Sequence, residues 1–423
     1  MHLIRGQNEA SGKQEAKTAE EWLVLEFEIS GLFDGAPISE EDLFAGRSEE
    51  VSRMLRAVME KSKHVVLFGE RGVGKTSLSN VFWKRYNKIL QSFLVARVQA
   101  SPADYFSTLW IRALEELKAS ANATGKAAYA PIETSFTSIT PSEIRRELAK
   151  CSPNALPVII VDEYDKLEDD DAKSLTANLI KELYDYSTTT TIILVGVAES
   201  IGQLVEDHVS INRPLVQIPL SRMNDRELKE IITSRASRTV MKFDPDAMWT
   251  IITLSRGLPF FTQTLSKHAA LVAIENRRIT VTNDDVEASM ERFIRDTEAS
   301  FKDEYRAATR SNQANFFQES LLACALASSD EDGFFTANDV VEPYSAIVKE
   351  RKRIAHFERH LRRFSSEEGG NILICRGRER RQTFRFSDPM MQPYVIIRGI
   401  QKGMIDEAAR STLLQKEQGV LPI

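Results

Sequence analysis

The sequence predicts an α/β core with a mostly parallel sheet, followed by an all-helical segment and a small C-terminal domain of three helices and a β-hairpin. Three observations predict it. Short apolar runs alternate with helical patterns from His64 to Leu220, the succession that builds a parallel sheet covered by helices. The strand patterns stop after about Ser221, and four helical stretches follow. From about Asn315 three more helical stretches lead into two short β patterns around a basic loop. The expected organisation is an N-terminal tail or arm (1–40), the core (41–221), a helical lid (222–300), the C-terminal domain (301–400) and a tail (401–423).

Taken in order, residues 1 to about 20 are polar without apolar period, and Trp22 to Ile29 alternates loosely as a short strand or arm. Ser48 to about Glu60 is helical, with Val51, Met54, Leu55, Val58 and Met59 on one face. His64 to Phe68 is a buried strand, and Leu78, Val81, Phe82 and Tyr86 mark the next helix. Phe93 to Val98 is a second strand, Pro102 to Lys118 a helix, and Ser120 to Thr140 a loop or surface insertion. A helix from Pro141 to Lys150 precedes the strand Pro157 to Val161, which ends in Asp162 and Glu163. Ala172 to Tyr186 is helical, and Thr190 to Val195 and Leu215 to Leu220 are strands. The lid helices span about 225–240, 245–256, 260–276 and 284–306, the last capped by Thr282-Asn283-Asp284-Asp285. The last domain has helices at 316–327, 336–344 and 351–364 and β patterns at 371–375 and 383–386, the outline of a winged helix.

Gly69-Glu70-Arg71-Gly72-Val73-Gly74-Lys75-Thr76-Ser77 fits the phosphate-binding P-loop pattern and lies between a strand and a helix N-terminus, the context that pattern requires. The core is thus expected to be a P-loop NTPase core. Gly69, Gly72 and Gly74 permit the tight turns that aim backbone N–H groups at phosphate. Lys75 can reach the β- and γ-phosphates of ATP, and the Thr76 hydroxyl can ligate Mg²⁺. Asp162 is suited to hold Mg²⁺ with Thr76, and Glu163 to activate the attacking water. Asp165 reads as a cap of the following helix. Glu199 or Ser200, at the tip of the fourth strand, could sense the γ-phosphate, or simply turn the chain. Arg213, before the fifth strand, could stabilise the charge on a transferring phosphoryl group. Gly257-Leu258-Pro259 breaks two lid helices.

Composition limits the partners. The net charge is −6 over 423 residues, so a nucleic-acid surface has to be local. From Lys349 to Arg385 there are twelve Lys and Arg against five Asp and Glu. Ile354, Phe357, Leu361 and Phe364 form an apolar stripe that leaves Arg359, Arg362 and Arg363 on the other face, with His356 and His360. Arg378, Arg380 and Arg381 lie at the hairpin tip. This pattern suits phosphate and groove contact with double-stranded DNA, and equally a solvated charged face or a protein-docking surface. The three cysteines, Cys151, Cys324 and Cys375, form no framework, which points to a reducing compartment without a zinc site. The N-terminus has no apolar signal region and no run can span a bilayer, so the expectation is a cytoplasmic protein with no membrane partner.

With Leu43-Phe44-Ala45-Gly46-Arg47, the P-loop and Val158–Lys166 in this order, the chain resembles AAA+ ATPases of the origin-recognition and replication-initiator type, and is similar also to the STAND signalling ATPases. The resemblance covers about residues 40–395. It implies adenine near Gly46 and Arg47, Walker B roles for Asp162 and Glu163, and an arginine-finger role for Arg213 in a homo-oligomer. Gly257-Leu258-Pro259 resembles the GxP motif of STAND proteins, which implies Pro259 against the nucleotide. Two functions follow: an ATP-hydrolysing switch on DNA, or a signalling or defence ATPase whose winged helix serves autoinhibition or an unknown protein partner.

Overall fold

Five short apolar runs form one parallel sheet. His64–Gly69, Leu156–Asp162 and Thr191–Val197 are buried on both faces, whereas Phe93–Gln99 and Leu215–Pro219 each leave some residues exposed. The computed structural model describes residues 18–35, 44–84, 93–127, 130–151, 156–197, 213–296, 299–310, 315–378 and 381–405. A first helix, α1 (Ala19–Leu32), precedes the sheet. Then come α2 (Ser48–Met59), β1 (His64–Gly69), α3 (Lys75–Val81) and β2 (Phe93–Gln99). After them follow α4 (Phe106–Ala123), α5 (Pro141–Leu148), β3 (Leu156–Asp162), α6 (Asp170–Asp185), β4 (Thr191–Val197) and β5 (Leu215–Pro219). The strand order is β2-β3-β4-β1-β5, with every neighbour parallel. β4 therefore stands between the strand that leads into the glycine-rich loop and the strand that ends in the two acids. In a parallel sheet, loop and acids emerge at the same, carboxyl edge.

The chain divides into two units, 36–223 and 1–35 with 224–423. In the first, the core on one side of the sheet joins β1–β3 to α4 and α6 through Trp110, Leu114, Ile159 and Ile180. The indole of Trp110 is fully buried and donates to Thr176 Oγ1 at 3.1 Å. The stretch from Ser120 to Thr140 is not a surface insertion. α4 runs on to Ala123, and Ala130, Ile132 and Ile139 are buried in that same core. His64, at the amino end of β1, is fully buried, and its Nδ1 accepts the Ile192 N–H at 3.0 Å. Burial holds this imidazole neutral, with its pKa lowered to about 3.

The second unit contains α1, α7 (Asp225–Ala236), β6 (Lys242–Phe243), α8 (Pro245–Ser255), α9 (Pro259–Glu275), β7 (Thr280–Val281) and α10 (Asn283–Asp296). α11 (Ala299–Thr309), α12 (Phe317–Leu326), β8 (Phe335–Thr336), α13 (Ala337–Ile347), α14 (Glu358–Phe364), β9 (Leu373–Arg376), β10 (Thr383–Phe386) and α15 (Met391–Gln401) complete it. The stretch Trp22 to Ile29 is helix, not strand or arm. Thr18 and Glu21 cap each other, and Trp22, Leu25 and Ile29 are buried on one face, against α9. The buried Arg235 donates to Leu32 O at 3.0 Å and so closes the carboxyl end of α1.

The helix expected over 284–306 is two helices, α10 and α11. β8, β10 and β9 pair antiparallel in that order, with Thr383 opposite both Thr336 and Arg376. β8 and α15 add to the three helices and hairpin expected there. The guanidinium of Arg256, at the left-handed end of α8, donates to Ala327 O at 2.8 Å. It thereby ties the lid segment to the end of α12.

Candidate nucleotide site

The loop after β1 turns through positive φ at Gly69, Gly72 and Gly74 (152°, 85° and 96°). At Gly69 any Cβ would collide with the carbonyl oxygen of Leu220, so glycine is required there by close approach as well as by φ. The Lys75 side chain is nearly buried and folds back over the loop, donating to Gly69 O at 3.0 Å and Glu70 O at 2.6 Å. Burial lowers its pKa to about 8, partly offset by Asp165, Asp162 and Glu70. Thr76 Oγ1 donates to Asp162 Oδ2 at 3.0 Å, which brings the β1 loop and the end of β3 together across β4.

The carboxyl edge of β2 holds both acids. Arg97 donates to Asp162 Oδ2 at 2.5 Å, and Gln99 donates to Glu163 Oε2. Lys166 also donates to Glu163 Oε2, at 2.6 Å. Burial alone would raise the Glu163 carboxyl, but these hydrogen bonds outweigh it and hold the pKa below its ordinary value. Glu163 itself sits at φ 53°, a left-handed conformation that turns the chain out of the strand. Asp165 does not cap α6. Its Oδ1 accepts the Val197 N–H at 2.8 Å, pinning the end of β4, and Asp169 supplies the cap through Asp171 N.

Around the loop lies a frame of buried cations. Arg222 makes two bonds to the Glu70 carboxylate, at 3.2 and 3.1 Å, with both side chains almost wholly enclosed. Truncating either would strand the other charge, at a cost of about 3–5 kcal/mol. Arg47, in a left-handed turn with Gly46, donates to Ser221 O and to Val73 O (3.5 Å), and pairs with Glu50 at 3.1 Å. Gly46 and Arg47 thus border the loop. Arg71 is exposed, Val73 buried, and Ser77 lies half-buried in the first turn of α3.

Other expected residues lie elsewhere. Arg213 precedes β5, whose Leu215 pairs with His64, so it stands exposed at the amino edge of the sheet. That is about 17 Å of strand away from the loop. Pro259 starts α9 and is buried in the second unit. Glu199, Ser200 and Arg380 lie outside the described residues, as do Leu43 and Tyr86.

In the basic segment the helix expected from Arg351 is interrupted at Phe357. Phe357, Leu361 and Phe364 are buried. His360 is not part of the basic face. It is buried, bonded to Ser320 Oγ at 2.6 Å, with its pKa lowered to about 4 by burial and by Arg359 and Arg363. Arg363 pairs with Glu368 and lies over the Phe317 ring at 4.7 Å, while Arg359 and Arg362 are exposed, the latter paired with Glu358 at 2.7 Å. Arg378 and Arg381 are exposed at the tip.

Arg97, Gln99, Lys166 and Arg222 escaped the sequence reading. Arg97 and Gln99 had a signal: two polar residues alternate with Ala96 and Val98 at the end of an apolar strand, so both fall on one face.

The sheet order, the glycine loop and the acid-tipped β3 define a P-loop NTPase fold. The model of the family described as Novel STAND NTPase 1 matches residues 37–289, more than half of the chain, and the chain belongs to that family. Among solved structures, the ORC2 protein of Aeropyrum pernix, determined as ADPNP–ADP complexes, is similar over 88% of this chain and 98% of its own. The identity is 15% and the TM-score 0.51. A Walker-type ATPase of Pyrococcus abyssi, paby2304, is similar over 86% of this chain and 99% of its own, with 16% identity and a TM-score of 0.52. These likenesses concern the fold. No curated protein matches the chain.

Proposed function

We propose that the chain is a nucleotide switch that binds ATP with Mg²⁺ and hydrolyses it. The observation that carries this reading is the meeting of Lys75, Thr76, Asp162 and Glu163 at one edge of the sheet. The backbone N–H groups of the Gly69–Ser77 loop and the Lys75 ammonium would hold the phosphates. Lys75 already satisfies itself on two loop carbonyls, so phosphate exchanges one set of acceptors for another.

The Thr76 hydroxyl and the Asp162 carboxylate, two hard oxygen donors in contact, fit Mg²⁺ and would hold it. When bound, Mg²⁺ neutralises charge on the phosphates. Glu163 is the general base for water, once its carboxylate is released by Gln99 and Lys166. The sides of the nucleotide are assigned to Gly46, Arg47, Glu70, Arg71 and Val73.

Arg213 acts in trans on the site of a neighbouring copy. Its place at the amino edge supports this over action on its own chain, and a finger of this kind is worth on the order of 10³-fold or more in rate.

The experiment is a calorimetric titration of Mg-ATP into wild type and Lys75→Ala at pH 7. Tight binding by wild type and its loss in the variant are expected; equal affinities would remove Lys75 from the site.

A second reading adds double-stranded DNA. β8–β10 with α12–α14 would be a winged helix whose tip, with Arg378, Arg380 and Arg381, grips phosphate while Arg359 and Arg362 reach the groove. The exposure of Arg378 and Arg381 favours it. Without DNA, the same domain would bind a protein partner, as the signalling reading requires.

A further inference from the structure

Asp162 is a buried carboxylate with every oxygen occupied. Oδ1 accepts the Glu163 N–H at 2.9 Å, and Oδ2 accepts both Thr76 Oγ1 at 3.0 Å and Arg97 at 2.5 Å. The acid side chain is 5% exposed, whereas the Arg97 side chain is 41% exposed. The pair is therefore asymmetric: the acid is fixed by the sheet, and the cation reaches it from the edge strand β2 with its outer part in water. Thr76 and Asp162 are the two residues assigned to Mg²⁺ above, so a full positive charge already sits on that carboxylate.

We propose that Arg97 is the resident counter-cation of Asp162 and competes with Mg²⁺ for it, setting the Mg²⁺ concentration at which nucleotide binds tightly. This rests on the ATP–Mg²⁺ reading of the site. The sign follows from charge alone. A guanidinium that stays on Asp162 repels a second cation, and one that leaves must first break a charge-assisted hydrogen bond. Either way its presence weakens divalent-ion binding. In the absence of Mg²⁺ the same residue protects the core from an uncompensated buried carboxylate. Gln99, two residues on and on the same face, holds Glu163 without adding charge, so β2 treats the two acids differently.

The test reads binding of a fluorescent ATP analogue by anisotropy while Mg²⁺ is titrated, for wild type, Arg97→Gln, Arg97→Met and Arg97→Lys. The two neutral variants should lower the Mg²⁺ midpoint by roughly two- to fivefold, the size of one partly exposed ion pair. Arg97→Lys should stay near wild type, because it keeps the charge. In EDTA the two neutral variants should bind no more tightly than wild type, because an uncompensated Asp162 carboxylate then remains beside the loop, so any gain is confined to Mg²⁺. Tighter binding in EDTA would overturn the proposal. The two neutral variants give independent readings if one fails to fold. An unmoved or raised midpoint in the neutral variants would overturn the proposal, as would Arg97→Lys shifting as far as they do. Absence of nucleotide binding by wild type at any Mg²⁺ concentration would overturn the ATP reading and this inference together. Binding with an unmoved midpoint overturns this inference alone.

Discussion

Lys75 carries its charge in a place that resists it. Burial lowers its pKa to about 8, and the loop carbonyls of Gly69 and Glu70 hold what charge remains. A bound phosphate favours the protonated form. Ligand-free protein gives up the Lys75 proton as pH rises through about 8, so nucleotide binding in that range takes a proton up. Affinity is therefore level below about pH 7 and falls as pH rises beyond 8. Calorimetry of wild type in two buffers of different ionisation heat at pH 8 measures the uptake. Binding without proton uptake at pH 8 would place the titration elsewhere.

At this scale the loop glycines, Lys75 and Thr76 were legible because a motif between a strand and a helix fixes their geometry locally, and Asp162 and Glu163 because two acids end an unbroken apolar strand. Arg222 and Arg97 were not legible. Their partners are 152 and 65 residues away, and only the strand order brings them together.

Elements divide in the same way. β1, β3 and β4 were plain in the sequence, since a strand buried on both faces is an unbroken apolar run. α1 was not, although Thr18 and Glu21 form a capping box. Leu23, Val24 and Phe27 stay exposed opposite the buried Trp22, Leu25 and Ile29, and so blur the helical stripe. β8 was missed because it is two residues long, and a strand so short has no period to read.

The hairpin β9–β10 was legible, but not which of its cations are committed. Arg376 and Arg385 both lie on the Phe334 ring, at 4.5 and 4.6 Å, and Arg363 is held by Glu368 and Phe317. If the hairpin binds DNA, replacing Arg378, Arg380 and Arg381 by Ala should weaken duplex binding on all sequences. It should also flatten the salt slope by about one unit for each phosphate that is no longer neutralised. Arg363→Ala should leave that slope unchanged. Fluorescence anisotropy at several salt concentrations measures both. No binding by wild type at low salt, with or without a non-hydrolysable ATP analogue, would sink the DNA reading.

For the whole molecule, the boundary after Met223 matters most. The residues just before it are bound to the phosphate loop: Leu220 donates to Phe68 O at 2.7 Å, Ser221 O accepts from Arg47, and Arg222 holds Glu70. Under the proposed ATP reading, a change in the loop when phosphate displaces Lys75 from Glu70 O would be felt at these residues. No helix among the described residues is long and apolar enough to cross a membrane.

Arg213 raises the question of assembly. Inactive Arg213→Ala mixed with inactive Lys75→Ala should regain turnover, since one chain then supplies the finger and the other the loop. Failure to do so in confirmed mixed oligomers would favour action within one chain.

The central claim, ATP bound and hydrolysed at the carboxyl edge of the sheet, is tested most directly by Glu163→Gln, which is nearly isosteric but cannot take a proton. ATP affinity and phosphate release are measured side by side for this variant and wild type. Wild type should turn over, and the variant should bind ATP as tightly while releasing no phosphate. Undiminished turnover by Glu163→Gln, or a wild type that binds ATP without hydrolysing it, would contradict the account.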